Sequence, residues 1–520
     1  RGGVDRVIGR ETSGEKSTLA DSLDLAVGPG QQLLFPWITS IWTDLEVGMP
    51  FEYATTDYQW AMENYDELFE THVAAWKELW SSRIEIGGNL ALAQIVNSSL
   101  YYTLSSIRAD WPWSLSPGGL ASNGYNGHVF WDAETWMYPP LLTFWPHIAR
   151  DAVLGYRANH LEGAKTKAKS YPGENWQGAM FPWESAFSGI EVCPTWAPTG
   201  LLEQHITGDV AFAAKQYFYA TGDLTWLKKF WPVILAMGDF WVSRVTPGQT
   251  PPAHYDINNV IPPDEYAVGV NNSVYTNYVA ALTCDWVAYA GYLLGVPPSQ
   301  IWGVISSGLK IPFDAAQGIH LEFDGYKGQI IKQADVVLLG YPLEMTMERT
   351  IRQNDLEYYE SRTDPEGPAM TWAMHAVGWL ELGMQNKADP NFARAYANSH
   401  LPFGVWTETP TGGTVNFLTG AGGFLQSVIN GYGGMRIREQ QMDFMPYLPP
   451  STPSLTLKGV ALCGSRFDVA WNATTILITA SSITNKGTNL KLASPRINAP
   501  LVPFRPIALP FGTRFSVLGK

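Results

Sequence analysis

The 520-residue sequence is poor in cysteine and in charge. Its three cysteines, Cys193, Cys284 and Cys463, cannot build a disulfide framework in a chain this long. None of them stands at CxxC spacing, which excludes a zinc ribbon and a dithiol redox motif. Charged residues make up 16% of the chain, against about 25% in an average soluble protein, while hydrophobic residues make up 46%. That balance excludes a disordered or coiled-coil chain. The nine histidines are scattered and no HExxH occurs, so no zinc-hydrolase helix is expected. No run of about 18 apolar residues is present, and no membrane-spanning helix is expected. Basic residues are also short, 34 against 48 acidic. The resulting pI near 5.1 argues against a nucleic-acid binder, which carries a basic face. Arg1 opens the sequence with no signal-peptide pattern.

Aromatic residues, by contrast, are abundant: 22 Trp, 24 Tyr and 22 Phe. Indole faces are good platforms for sugar rings, because the ring quadrupole favours polarised C–H groups and the flat face excludes water. A large core also consumes aromatics, and composition alone does not separate the two readings.

Three textures follow one another along the chain. Residues 1 to about 55 read as strands and turns, with Gly2-Gly3, Gly28-Pro29-Gly30 and Pro36 punctuating apolar runs such as Leu33-Leu34-Phe35. Apolar spacing from Asp57 to Trp80 predicts one long amphipathic helix. From 85 to about 444 the chain reads as helices, among them Leu90–Ile107, Leu141–Ala164, Leu202–Thr221, Leu224–Val245, Ser273–Leu294 and Thr371–Leu382. Loops rich in Gly, Pro, Trp and charge separate them. An (α/α)6 barrel is the closed way to pack about twelve such helices, with its loops gathered at one end around a pocket. From 445 to 520 alternating β-branched segments predict a small antiparallel β domain, its start marked by Pro449, Pro450 and Pro453. The expected division is therefore 1–84, 85–444 and 445–520. Gly420-Ala-Gly-Gly and Gly431-Tyr-Gly-Gly lack the lysine of a phosphate loop and read as tight turns.

Four loop-like stretches set an acid within two residues of Trp or Tyr: Gly127–Glu134, Phe181–Ser185, Pro263–Tyr266 and Val405–Pro410. Such pairing suits a sugar pocket, where the aromatic holds the ring and the carboxylate bonds hydroxyls or moves protons. Glycoside hydrolysis needs two carboxyl groups, one protonated and one ionised. Asp264 and Glu265, among Pro262, Pro263 and Tyr266, offer an environment that raises a carboxyl pKa. The same Pro-Asp-Glu also reads as an ordinary helix start. His205 and His375 are expected to be core residues.

Together these stretches resemble glycoside hydrolase family 65. The matching elements run in family order: Gly127-His-Val-Phe-Trp-Asp132, Phe181-Pro-Trp-Glu-Ser185, Pro263-Asp-Glu-Tyr266, Val270-Asn-Asn-Ser-Val-Tyr-Thr-Asn277, Ile331-Lys-Gln-Ala-Asp-Val336 and Gly367-Pro-Ala-Met-Thr-Trp372. The resemblance implies roles residue by residue. Glu265 matches the general acid and Glu408 the general base. Asp132, after Trp131, matches the carboxylate that holds glucose hydroxyls in the −1 subsite, and Lys332 with Gln333 the pair that bonds the same sugar. Trp183 and Glu184 are expected to line the site. The implied reaction is single-step inverting hydrolysis of a terminal α-glucoside, with no metal or other cofactor. The subgroup most resembled removes glucose α-1,2-linked to galactose on hydroxylysine of collagen-like proteins and implies a cytoplasmic enzyme. Acid trehalases and kojibiose-cleaving enzymes are relatives, some of them vacuolar or secreted. An acid trehalase-type hydrolase is one alternative reading, and an inactive sugar-binding or structural protein of the same fold is the other. Where the family's phosphorylases carry a phosphate-binding His-Asp-Ser-Ser stretch, this chain reads Gly367-Pro-Ala-Met-Thr-Trp372, which favours water over phosphate. Only about 55 residues precede the predicted linker helix, where relatives carry a large β-sandwich. That domain is expected to be a separate chain, a cleaved piece or absent, and a homodimer is the other assembly expected.

Overall fold

The computed structural model describes residues 28–32, 37–249, 253–297, 299–482 and 490–519. They divide into two compact units between Leu79 and Trp80.

The first unit contains two helices, Pro50–Glu63 and Tyr65–Leu79, where the periodicity predicts one. The break falls at Asn64, with φ −114° and ψ 33°. Its backbone N–H and its side-chain amide both donate to the Trp60 carbonyl at 2.8 Å. A short polar side chain that bonds its own backbone competes with helix continuation. Gly28-Pro29-Gly30 forms the expected turn, closed by Gln31 N–H donating to Gly28 O at 3.1 Å. Among the described residues no strand precedes Arg83, so the β character expected before 55 is not seen there. Gly2-Gly3 and Leu33-Leu34-Phe35 lie outside the described residues.

In the second unit a helical region precedes two antiparallel sheets. Five of the six helices expected there form close to the expected limits: Leu90–Ser105, Ile206–Thr221, Leu224–Arg244, Val274–Leu293 and Thr371–Glu381. Their ends follow local chemistry. Asn89, Asp223 and Ser273 are N-caps whose side chains accept from Leu92, Trp226 and Thr276 N–H. Gly222, with φ +65°, ends Ile206–Thr221 in the left-handed conformation that glycine tolerates.

The sixth, Leu141–Ala164, is not one helix. The chain winds from Ala133 to Lys169 in short α-turns interrupted by π-turns at Ala133–Met137 and Ala149–Leu154. Pro139, Pro140 and Pro146 lack the N–H that a regular i→i−4 ladder needs. The Gly420 stretch also differs from the tight turns expected of it. It lies inside the helix Leu418–Gln426, and its glycines serve close approach instead. A Cβ on Gly422 would meet the Trp136 carbonyl oxygen at 2.4 Å, and one on Gly423 would meet Met370 Cβ at 2.8 Å.

One sheet runs Arg83–Gly87, Ser454–Leu462, Ser465–Asn472, Thr475–Ser482 and Ile507–Pro510; the other runs Asn498–Pro500, Lys491–Ala493, Phe515–Leu518, Gln441–Phe444 and Arg436–Arg438. The sheets thus take strands from both sides of residues 84 and 444. Alternation puts Phe467, Val469, Trp471, Ile476 and Ile478 inside from the first sheet. Phe444 and Phe515 of the second stack at 5.0 Å, and Phe444 meets Phe467 edge-on at 6.0 Å. Strand and helix are tied together by Arg466, which donates to the Phe144 carbonyl at 2.8 Å.

Candidate active site

Glu265 sits in a turn, not at a helix start. Glu203 and Ile261 form a parallel bridge that delivers Pro262 and Pro263 to the turn. Asp264 then fixes it: its Oδ1 accepts from Tyr266 N–H at 3.2 Å and from Lys332 N–H at 2.6 Å, while its own N–H donates to Asp335 Oδ2 at 3.2 Å. Lys332 and Glu265 are thereby brought together, Nζ to Oε1, at 2.8 Å. Burial disfavours the Lys332 ammonium, but the negative charges of Glu265, Glu203 and Glu408 outweigh it and raise the pKa. Gln333 is buried and donates to the Pro263 carbonyl at 2.6 Å, closing the same junction. Burial pushes the Asp264 carboxyl up against the opposing N–H bonds of Lys332 and Tyr266, burial and then the charges of Asp335 and Asp264 push Glu322 up, and burial with the charge of Asp264 pushes Asp335 up to about 8.

Glu408 lies on the strand Val405–Thr409, paired with Gly412–Val415. Each carboxylate oxygen is held. Oε1 accepts from the Tyr125 hydroxyl at 2.6 Å and Oε2 from Thr414 N–H at 3.0 Å. Its carbonyl accepts from Ala369 N–H at 2.9 Å, which ties the Gly367–Trp372 stretch to the Glu408 strand. Tyr125 and the next residue, Asn126, have φ of +57° and +53°. Two successive non-glycine residues in the left-handed region cost energy that surrounding contacts must offset. Burial, then the charge of Glu408 and the bond to it, drives the Tyr125 hydroxyl well above its ordinary pKa, so it acts as a donor.

Trp131 and Asp132 enter from the Gly127–Asp132 loop, which is fastened by the Val129–Ser185 bridge to the loop carrying Trp183 and Glu184. Trp131 is 1% exposed and packs edge-on against His205 at 4.8 Å and Tyr275 at 6.1 Å. Asp132 Oδ2 accepts from Thr419 Oγ1 at 2.5 Å. Burial, opposed by that bond and assisted by the charges of Glu265 and Glu408, pushes Asp132 up to about 7. Glu184 pairs with His128 Nδ1 at 2.7 Å, and Trp183 meets Phe130 edge-on at 5.5 Å. His205 is a core residue, bonded to Asp209 and Glu203 at 2.7 and 3.1 Å, and His375 is fully buried.

All eight residues singled out by the sequence, Trp131, Asp132, Trp183, Glu184, Glu265, Lys332, Gln333 and Glu408, border one cavity of about 320 Å3. That is the low end of the roughly 300–1,000 Å3 found for small-molecule sites, a size suited to a short glycoside. Phe130, Pro368, Met370 and Phe417 supply apolar wall. Sequence reading missed Tyr125, Thr419 and Glu191. Glu191 accepts from Trp183, Glu184 and Cys193 N–H at 2.9, 3.0 and 3.2 Å, and Lys167 Nζ lies 2.5 Å from it. Only Tyr125 had a signal: Gly124-Tyr-Asn-Gly127 has the glycine and asparagine of a left-handed turn, just ahead of the first motif.

The family model of the glycosyl hydrolase family 65 central catalytic domain matches residues 99–329. A protein-glucosylgalactosylhydroxylysine glucosidase of Dictyostelium discoideum is 48% identical over 512 residues, covering 97% of this chain and 72% of that protein. A kojibiose hydrolase of Mucilaginibacter mallensis is 41% identical, covering 77% of this chain and 59% of that protein. The chain thus spans between 59% and 72% of the length of these two relatives. Among solved structures, a chain assigned as a kojibiose phosphorylase from the human microbiome superposes with a TM-score of 0.74 at 19% identity, over 88% of this chain and 72% of that one, a likeness of fold. With this identity sustained over nearly its whole length, and the central-domain pattern running through three of the loops that carry the site, the chain belongs to glycoside hydrolase family 65.

Proposed function

We propose that this protein is an inverting α-glucosidase that removes a terminal glucose from an α-1,2-glucoside such as glucosylgalactosyl-hydroxylysine or kojibiose. The observation that carries the proposal is that Glu265 and Glu408, from segments far apart in sequence, border the same sugar-sized cavity as Asp132. In this reading Glu265 gives a proton to the glycosidic oxygen as that bond breaks. Glu408 takes a proton from a water whose oxygen attacks C1 from the opposite face, and β-glucose is the product. Lys332 orients Glu265, Tyr125 and Thr414 orient Glu408, and Asp132 accepts from glucose hydroxyls. The two carboxyl groups are expected roughly 6.5–9.5 Å apart, the separation that leaves room for water. Hydrolysis is favoured over phosphorolysis by the Gly367–Trp372 stretch. It presents Pro368 and Met370 to the cavity, while the Thr371 hydroxyl is buried and accepts from Ala334 N–H at 3.1 Å. No hydroxyl pair for a phosphate dianion stands there. We read residues 85–444 as an (α/α)6 barrel, which accounts for loops from so many helices meeting around one cavity, and 445–520 as a β domain.

The test is glucose release from both substrates, with the anomer read by NMR in the first minutes. β-Glucose first, with Glu265→Gln and Glu408→Gln each about 10²–10⁴-fold slower, is the expected result. α-Glucose first would overturn inversion. Binding of either substrate without glucose release would favour the sugar-binding reading.

A further inference from the structure

The cavity is graded in exposure. Its inner wall holds Trp131 at 1% and Gln333 at 2%, whereas Trp196, which borders the same cavity, is 84% exposed. A pocket closed at one end admits a terminal glucose inward and leaves the departing group at the mouth. The mouth is where this tryptophan stands.

We propose that Trp196 is the platform for the leaving-group sugar, a pyranose with an uninterrupted C–H face such as galactose; this rests on the α-glucosidase reading above. An indole left almost wholly in water forgoes the burial that its area would reward, unless a ligand covers it. The backbone around it is held rather than loose. Ala197 N–H closes a turn onto the Pro194 carbonyl at 2.9 Å. Upstream, the Glu191 carboxylate binds Cys193 N–H and, with the same two oxygens, Trp183 and Glu184 N–H. One carboxylate therefore sets the mouth segment relative to the inner wall. Downstream, Glu203 N–H donates to the Thr199 carbonyl at 2.9 Å, and Glu203 bridges to Ile261 beside the Glu265 turn. The platform is thus referenced at both ends to groups that flank the bond to be broken. A galactose ring has its axial hydroxyl on one face and presents carbon-bound hydrogens on the other, which suits stacking on a flat indole.

The experiment compares the intact protein with Trp196→Ala and Trp196→Phe on three substrates: kojibiose, glucosylgalactosyl-hydroxylysine and α-glucosyl fluoride, whose leaving group has no sugar ring. The expected result is a loss of kcat/KM in Trp196→Ala at least tenfold larger on the two sugar glycosides than on the fluoride, mostly in KM, with Trp196→Phe recovering most of it. Equal losses on all three, or no loss on the glycosides, would overturn the proposal. Calorimetric titration with galactosyl-hydroxylysine decides the platform even if no substrate is turned over. At least tenfold weaker binding by Trp196→Ala supports it and unchanged binding refutes it. A wild-type protein that binds this leaving group through Trp196 but releases no glucose would refute the hydrolase reading alone.

Discussion

Tyr125 reaches Glu408 from a backbone conformation that L-residues seldom adopt, and among the described residues its hydroxyl is one of two donors to that carboxylate. A hydrogen bond to a charged group is worth about 1.5–3 kcal/mol. Tyr125→Phe should therefore lower kcat on kojibiose by roughly tenfold or more; an unchanged kcat would show that Thr414 alone is enough to orient Glu408, the proposed base. Asp132 supplies a second test at this scale. Its folded-state pKa lies near 7, above the ordinary value of 3.8, so between about pH 4 and 7 the native state holds a proton that the unfolded chain has released. Stability contributed by the protonated form is complete at low pH and is lost as pH rises through that window. Asp132→Asn does not titrate. Its melting temperature relative to wild type should rise from pH 4 to pH 7 and then level off. A flat difference across that range would refute the assigned shift.

At the scale of elements, the Glu408 carboxylate, the proposed base, depends on the hairpin Val405–Val415. Gly413, φ +76°, faces Glu408 so closely that a Cβ would lie 2.8 Å from both the Glu408 Cβ and Oε2. Gly413→Ala should cost about 1–2 kcal/mol from the left-handed backbone alone, measured by urea unfolding. It should also lower kcat at least tenfold by displacing the carboxylate, since small misplacements of a positioned group are costly to rate. Wild-type kcat in this variant would mean that the hairpin tolerates the methyl and that Glu408 is not sterically set. The helix Leu418–Gln426 works by the same logic. Its glycines let the backbone approach Trp136 and Met370, which brings Thr419 to Asp132.

At the scale of the second unit, the loops stand on a buried charge network. Arg157 and Glu134 are both fully buried side chains paired at 2.7 Å, and Arg157 also donates to the Phe130 carbonyl at 3.2 Å. Tyr275 and His205 share Asp209 nearby, with hydroxyl and ring nitrogen each 2.7 Å from its carboxylate. Breaking such a pair leaves an uncompensated charge in the interior, at about 3–5 kcal/mol. Arg157→Met should lower the urea midpoint accordingly, while Arg157→Met with Glu134→Gln should recover part of the loss. Additive losses in the double variant would show that the pair is not coupled.

Much of this was legible in the sequence because it is local. Helical periodicity located five helices within a few residues, since an apolar face must recur every 3.6 residues wherever it packs. Four stretches were legible because each sets an acid within two residues of Trp or Tyr, whereas the roles expected of Glu265, Glu408 and Asp132, and the choice of Lys332 and Gln333, came from the resemblance to family 65. The break at Asn64 and the interrupted winding over Ala133–Lys169 were harder, because apolar spacing continues through both while capping and proline decide the backbone. Glycines at 420–423 were misread because their use depends on what approaches them. Tyr125 and Thr419 make their bonds to residues more than 280 positions away, so no spacing announces those partners, and Glu191 carries no motif although it binds the nearby Trp183 and Glu184 N–H. The chain alone determined which chemical groups were available and which segments would coil or extend. Only the folded molecule decided which oxygen meets which donor, because those meetings depend on packing between elements that the sequence lists far apart.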